Sequence, residues 1–289
     1  MESFRILKIL SSIVALLALI TSSVGLFWNN GGKAFYVNNI YGNSVQMYGN
    51  GLYAYDTYFK APIQKGTDLV TLFLAIPLLL YLILFSKYNI AKYKLLHVGV
   101  LSYFLYYSAS LAFGVSYNIL FLAYILLFSS SLFSFMVGIT GIESKSISDG
   151  ISDKMPRRSI AIFMIFAGLS VFVWLFEIIG ALSTGKPPTS LGIYTTEPTY
   201  ILDLGIIAPS AFTCAILLFR KKPLGYIYAA VLLVLNAFVG VVVISQTIFQ
   251  KIAGINISVQ QFMTFVGVFI IMSLIAAFLN VRLLKNIRN

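Results

Sequence analysis

Eight long apolar runs dominate this sequence and restrict what the chain can fold into. A helix needs about 20 mostly apolar residues to cross the roughly 30 Å hydrocarbon layer of a membrane. Only 10% of the residues are charged and 59% are hydrophobic, whereas soluble domains average about 25% charged residues. We therefore predict an all-α protein, a polytopic transmembrane bundle of eight helices whose partner is the lipid bilayer. The runs cover residues 8–28, 67–86, 95–114, 118–141, 159–182, 200–219, 223–248 and 259–281.

The basic residues indicate how these helices are oriented. Lys and Arg are enriched in cytoplasmic loops, and 15 of the 20 lie at the termini or in the second, fourth and sixth connections. We therefore expect a multi-pass cell-membrane protein with both termini in the cytoplasm. The same distribution accounts for the net charge of +11 without a nucleic-acid partner.

The first apolar run has an alternative interpretation as a secretory signal peptide. Arg5 and Lys8 lie at its start, and small residues occur at Ser23 and Gly25 near its end. Its apolar stretch is long for a signal peptide, which favours a helix that is retained. Cleavage would leave seven helices and would not change the rest of the topology.

Two of the apolar runs resemble each other and predict an internal repeat. "DLVTLFLAIPLLLYLILFSK" (68–87) and "DLGIIAPSAFTCAILLFRK" (203–221) both begin with Asp-Leu, contain a proline and end in a basic residue. Two groups of four helices insert in the same direction, which predicts parallel halves. Alternatively, apolar helices share such letters by chance. The predicted bounds are a single transmembrane domain, 1–289, with halves 1–141 and 159–289 joined by a cytoplasmic loop, 142–158.

Acidic residues inside three of the runs indicate a binding site. A carboxylate at the centre of a membrane helix costs roughly 2.5–3.5 kcal/mol, so it must face water, a partner or the protein interior. From the rise of about 1.5 Å per helical residue, we expect Asp68, Glu177 and Asp203 at a common depth near the outer boundary. We expect Asp68 in the first turn of its helix with Lys60 or Lys65 as partner, and Asp203 bonded to a tyrosine hydroxyl. Alternatively, the acids only cap helices and join them by hydrogen bonds.

Polar side chains elsewhere in the runs complete the predicted site. Three tyrosines of the third run are three and four residues apart, so they share one helix face, and buried hydroxyls need partners. We expect that face to point into the bundle, where it either joins helices or lines a ligand cavity. The predicted ligand-binding residues are Asp68, Glu177, Asp203, Tyr103, Tyr106, Tyr107, Asn118 and Asn236.

Several classes of site are excluded by what the sequence lacks. One histidine, His97, and one cysteine, Cys214, cannot form a paired haem site, a multi-histidine metal site or an intrachain disulfide. The sequence contains no GxxxxGK[ST] phosphate loop, no HExxH and no GxSxG motif. We therefore expect no metal and no cofactor, and no catalytic residue can be assigned.

Three segments resemble a known group of proteins. "GTDLVTL", "LSYFLYYSASLAFGVSYNILFLAY" and "LDLGIIAPSAF…LLFRKKPLGY" are similar to a family of multi-pass prokaryotic integral membrane proteins with about eight helices. The resemblance covers most of residues 50–250. It implies the helix count, but no activity and no site residue.

The expected function is binding or transport of a small molecule or ion through an outward-facing acidic and aromatic pocket. The acids favour a cationic ligand or a coupling proton. Two alternatives remain open: a membrane-embedded enzyme that acts on a lipid or lipid-linked group, and a non-catalytic subunit of a membrane complex. The sequence does not identify a protein partner.

Overall fold

The apolar runs form long helices in the computed structural model, which describes residues 2–85, 90–144, 147 and 150–287. Within these residues eight helices are long and apolar enough to cross a membrane, which confirms the predicted all-α bundle. Lys87, residues 145, 146, 148 and 149 of the predicted loop 142–158, and residues 288–289 lie outside the described residues. The helices are α1 (Glu2–Phe27), α2 (Lys60–Phe85), α3 (Ala91–Gly114), α4 (Phe121–Thr140), α5 (Arg157–Thr184), α6 (Pro198–Phe219), α7 (Pro223–Ile252) and α8 (Val268–Lys285).

Helices α3 and α7 lie at the centre of the bundle and pack against each other. Helix α3 also contacts α4 and the first turn of α6, and α7 also contacts α2, α6 and α8. Small residues permit these close approaches. A side chain at Gly66 of α2 would collide with the backbone of Gln246 in α7, and one at Gly240 of α7 would collide with Ser273 in α8.

Helices α2 and α6 each contain a π-helical stretch, Thr71–Ala75 and Asp203–Ile207. Each stretch ends two residues before a proline, Pro77 or Pro209. A proline inside a helix lacks an N–H donor and clashes with the carbonyl of the residue four positions earlier. A wider π turn gives that carbonyl room, and such turns frequently occur at functional sites. A third stretch, Phe262–Gly267, precedes α8.

The connections on one side of the bundle meet around a small β-hairpin, and we call this side the hairpin end. Strand β1 (Phe35–Asn38) pairs antiparallel with β2 (Ser44–Met47). The Asn39 side chain donates a hydrogen bond to the carbonyl of Gly192 at 2.8 Å, which joins the hairpin to the α5–α6 connection. The Tyr58 hydroxyl donates to the carbonyl of Ala253 at 2.7 Å, which joins it to the end of α7. Sequence analysis did not predict the hairpin.

The start of α2 corrects one expectation. The helix begins at Lys60, so Asp68 lies eight residues, or about 12 Å, inside it rather than in its first turn. Pro62 is compatible with a position in the first turn, where a backbone N–H has no helical partner. Gly66 lies inside the helix, where the lack of a side chain permits the close contact with α7.

Candidate functional site

Asp68 is fully buried, at 0% exposure, and lies at the centre of what we call the Asp68 cluster. The Tyr53 hydroxyl donates a hydrogen bond to Oδ2 of Asp68 at 2.7 Å, and the Tyr107 hydroxyl donates to Oδ1 at 2.8 Å. Gly25 of α1 lies directly against the carboxylate, since an ideal Cβ there would be 2.1 Å from Oδ2. Phenol hydroxyls and a bare backbone therefore enclose the acid.

Neither expected lysine forms an ion pair with Asp68, and for Lys60 the expectation is wrong. Lys60 forms an ion pair with Glu197 instead. The ammonium of Lys65 approaches the backbone carbonyl of Leu26, at 3.4 Å, and its charge attracts Asp68 without direct contact. Lys60 lies two turns from Asp68 because α2 begins earlier than expected, so its side chain reaches the hairpin end and not the carboxylate.

Tyr103 extends the Asp68 cluster along α3. Its hydroxyl is 2.7 Å from Oγ1 of Thr71, the first residue of the π-helical stretch in α2. Its ring lies parallel to that of Tyr107, with 6.3 Å between centroids, and stacks on Phe238 of α7 at 4.3 Å. Tyr103 and Tyr107 of the predicted aromatic face therefore point into the bundle, where they join α2, α3 and α7, whereas Tyr106 lies on another flank of α3.

Asp203 is the centre of a second group, the Asp203 cluster. It is 9% exposed and accepts a hydrogen bond from the Tyr106 hydroxyl at 2.9 Å, which confirms the expected tyrosine partner. The indole Nε1 of Trp174 donates to its other oxygen at 2.8 Å. The Trp174 ring stacks on Tyr200 at 5.3 Å, and the Tyr200 hydroxyl donates to Glu177. Two of the three predicted acids therefore belong to one chain of contacts.

The two clusters lie on different flanks of α3. Tyr106 binds Asp203, and the next residue, Tyr107, binds Asp68. Successive helical residues differ in height by only about 1.5 Å but point about 100° apart. The structure therefore brings the two acids to similar heights without placing them in one shared group.

The two predicted amides do not bind either acid. Asn118 shapes the turn before α4: its Oδ1 accepts from the backbone N–H of Leu120 at 2.9 Å, and its Nδ2 donates to the Tyr124 hydroxyl at 3.3 Å. Asn236 donates to the carbonyl of Leu232 in its own helix, at 2.9 Å. Two grooves on the flank of the bundle, between α1 and α2 and between α5 and α8, include none of the predicted site residues.

Asp56 is a buried acid at the hairpin end that sequence analysis missed. It is 1% exposed, and its Oδ1 accepts from the backbone N–H of Ser116 at 2.8 Å and from the Tyr194 hydroxyl at 2.7 Å. Its Oδ2 is buried and has no hydrogen-bond partner among the described residues. Asp56 thereby joins the α1–α2, α3–α4 and α5–α6 connections. Its signal in the sequence is an acid among three tyrosines in "LYAYDTY", outside the apolar runs.

Burial changes the acidity of the groups around Asp56. Burial raises the pKa of Asp56 from 3.8 to about 6, although hydrogen bonds from Ser116 and Tyr194 and attraction to Lys60 oppose the change. Burial and the neighbouring Asp56 charge raise the pKa of Tyr194. Lys60 lies over the Tyr194 ring, with 4.1 Å from Nζ to the centroid. Protonation of Asp56 near pH 6 would therefore change the charge of the contact that joins three connections.

The donor set limits the chemistry of the two clusters. Asp68 and Asp203 accept hydrogen bonds from phenol and indole groups, which carry no charge, and Asp68 is also attracted by the charge of Lys65. Within the described ranges, no group of three or more His, Cys, Asp and Glu side chains could hold a metal ion. The chemistry that each cluster offers is therefore that of a single carboxyl group, which can gain or lose one proton.

Comparison with known proteins identifies no relative of this chain. No model of a protein family, no curated protein and no solved structure matches it. The function is therefore argued from the geometry of the two acidic clusters.

Proposed function

We propose that this chain is a multi-pass cell-membrane transporter that binds a proton or a small cation at Asp68 and couples that binding to movement of a small molecule. One observation carries the proposal: a fully buried carboxylate lies inside a membrane-spanning helix, accepts hydrogen bonds from two phenol hydroxyls and forms no ion pair among the described residues. An acid at the centre of a membrane helix costs roughly 2.5–3.5 kcal/mol. A bound proton or cation removes that cost, so occupancy of Asp68 can stabilise one arrangement of the helices over another.

The Asp203 cluster is the second part of the proposed site. Asp203 is the first residue of the π-helical stretch in α6, and Asp68 lies three residues before the stretch in α2. Because π turns depart from regular helical hydrogen bonding, both acids are next to backbone that can change its pattern at low cost. The predicted outward-facing pocket would then belong to a second conformation, in which α2 or α6 moves away from α3 and opens its acid to water.

The arrangement of the helices supports the proposed parallel repeat. If α1–α4 are matched with α5–α8, the contact between α1 and α2 corresponds to the contact between α5 and α6. The contact between α3 and α4 likewise corresponds to the contact between α7 and α8. All four contacts are observed. It also maps the contact of α2 with α7 onto that of α6 with α3, and it leaves the central α3–α7 pair unchanged. The π stretches and prolines correspond if Pro77 is matched with Pro209. This alignment puts Thr71, not Asp68, opposite Asp203, a shift of three residues from the Asp-Leu alignment.

The alternative enzyme is less well supported by the geometry. General acid–base catalysis needs two groups within hydrogen-bond reach of one substrate. Asp68, Asp203 and Glu177 instead have separate hydroxyl or indole partners. The cytoplasmic location of both termini, the resemblance to a prokaryotic membrane family and a role as a complex subunit stay predictions.

Infrared spectroscopy of the purified protein in lipid vesicles tests proton binding at Asp68. A protonated carboxyl group gives a C=O stretching band that a carboxylate does not. We expect a pH-dependent carboxyl band that is lost in Asp68→Asn and is kept in Asp153→Asn, which changes an exposed acid. A sodium titration at fixed pH separates the two ligands, since bound sodium would remove the band without a change of pH. A band unaffected by both proton and sodium concentration, or unchanged in Asp68→Asn, would contradict the proposal.

A further inference from the structure

Three polar atoms inside the bundle are buried without a hydrogen-bond partner among the described residues. They are Nδ1 of His97 in α3 and the hydroxyls of Ser131 and Ser134 in α4. His97 is 1% exposed and the two serines are 0% exposed. Buried polar side chains in proteins are nearly always bonded to protein or to ordered water, so each such atom needs an explanation.

All three atoms belong to the interface of α1, α3 and α4, which we call the polar seam. Nε2 of His97 is 3.0 Å from the Ser11 hydroxyl of α1. A Cβ at Gly138 of α4 would meet Val98 of α3 and Leu7 of α1, so that face of α4 looks towards both helices. Ser134 and Ser131 are four and seven residues from Gly138 and therefore lie on the same face.

Along the helix axes, these residues follow one another from the level of Asp68 towards the end opposite the hairpin. His97 and Tyr107 are ten residues apart on α3, or about 15 Å. Gly138 lies level with Val98, and α4 runs antiparallel to α3, so Ser134 and Ser131 lie about 6 and 10 Å nearer the hairpin end. Both serines thus lie between His97 and Tyr107, and the Tyr107 hydroxyl donates directly to Asp68.

Water is the occupant that fits this seam. A buried water makes two to four hydrogen bonds to groups that otherwise lack partners. By the helical rise, Ser131 and Ser134 are about 4.5 Å apart in height and Ser134 and His97 about 7.5 Å, intervals that one or two waters can bridge. Other hydroxyls on the same faces, those of Thr21, Ser22 and Ser108, already donate to backbone carbonyls but can still accept.

We propose that the polar seam is a water-bridged proton path from Asp68 through Ser131, Ser134 and His97 to Ser11. This inference rests on the proposed function, because it supplies the route by which a proton leaves Asp68. Each hydroxyl or water passes on its own proton as it accepts another, and His97 takes a proton at one ring nitrogen and releases one from the other. Asp68 is left as a carboxylate, the proton passes from Ser11 to solvent at the end opposite the hairpin, and each relay group keeps its charge, with His97 left as the other neutral tautomer. The charged residue nearest the path on α1 is Lys8, one turn beyond Ser11 towards the opposite end.

The single histidine of the chain makes hydration of the seam measurable. Protein labelled with ¹⁵N-histidine and purified on a histidine-free affinity tag contains one imidazole signal. In lipid bilayers, solid-state NMR measures magnetisation transfer from water to that ring. We expect clear transfer in the wild type and an at least threefold slower transfer in the double variant Ser131→Ala, Ser134→Ala. Ser102→Ala is the matched control, because the buried Ser102 hydroxyl donates to the carbonyl of Gly99 in its own helix.

The outcomes separate this inference from the proposed function. A His97 ring without water contact in the wild type, or equal transfer in the double variant, overturns the water path even if Asp68 binds a proton. If water contact is present and the double variant keeps the Asp68 infrared band but exchanges its proton with the solvent more slowly, the path is supported. Absence of the Asp68 band would contradict the proposed function, while the hydration measurement would still decide whether the seam is wet.

Discussion

Asp68 and Asp56 are both buried carboxylates that tyrosines hold, but their positions give them different roles. Asp68 lies in the membrane-spanning part of α2 and has both oxygens hydrogen-bonded. Asp56 lies outside the spans and has one oxygen without a partner in the described structure. The first is the proposed ion-binding residue, and the second joins the connections at the hairpin end.

Gly25 is the residue whose change most directly displaces Asp68. In Gly25→Ala the new methyl group would overlap Oδ2 of Asp68 and the Tyr53 hydroxyl, and overpacking of this kind typically costs about 1–3 kcal/mol. We expect a lower melting temperature in detergent and a shifted Asp68 infrared band. Gly180→Ala is the control, because no atom lies within 4 Å of a Cβ at that position of α5. Equal melting temperatures for both variants would mean that the carboxylate is not packed against α1.

Asp56 predicts how the stability of the hairpin end depends on pH. Because its folded pKa is raised from 3.8 to about 6, the folded protein binds the proton more tightly than the unfolded chain. The stabilising contribution is fully present below about pH 4 and is lost as pH rises through 6. Asp56→Asn keeps an acceptor for Ser116 and Tyr194 but removes the titration. We expect its melting temperature to exceed that of the wild type at pH 8 and to differ less at pH 4. A wild-type advantage at pH 8 would contradict this.

At the scale of helices, the close contact of α2 with α7 requires a glycine at position 66, because any side chain there would collide with the α7 backbone. A Cβ at Gly66 would lie 2.5 Å from Cα of Gln246, a backbone atom that cannot rotate away. The Ser245 hydroxyl also donates to the carbonyl of Gly66 at 2.8 Å. The backbone of α2 is therefore fixed against α7 two residues, or about half a turn, before Asp68.

Gly66→Ala tests whether this contact sets the position of α2. We expect the two helices to separate locally, with a loss of thermal stability that corresponds to about 1–3 kcal/mol and weaker proton binding at Asp68. Gly180→Ala in α5 is again the control, since no atom lies within 4 Å of a Cβ there. If Gly66→Ala melted like Gly180→Ala, the close approach of α2 and α7 would not be required.

The helices were predictable because membrane insertion demands long apolar runs, and the same demand made the acids conspicuous. The start of α2 was not predictable in this way, because residues 60–67 are polar enough to be interpreted as a loop, although they are helical and Gly66 among them packs against α7. The partner of Asp203 could be predicted, since a buried acid needs a donor and tyrosines are abundant nearby. Trp174 could not, because its position depends on how α5 packs beside α6.

Asp56 and the polar seam were missed for a different reason. Asp56 lies in a polar connection, where an acid is unremarkable unless the neighbouring connections fold over it. Ser131 and Ser134 resemble ordinary small residues at a helix contact. Only the three-dimensional arrangement identifies them as lacking partners, since that property belongs to the space between helices and not to any one helix.

At the scale of the whole molecule, the sequence and the contacts make one prediction about sidedness. From the Lys and Arg distribution we predict that the hairpin end lies outside the cell. The chain offers a clean test, because its one cysteine, Cys214, is buried. Asn43→Cys in the exposed hairpin turn and Asp153→Cys at the opposite end each add one accessible thiol. In intact cells, we expect a membrane-impermeant maleimide to label Asn43→Cys and not Asp153→Cys, and to label both after permeabilisation. The wild-type chain is the background control. Labelling of Asp153→Cys alone in intact cells would reverse the orientation, and the Asp68 cluster would then face the cytoplasm.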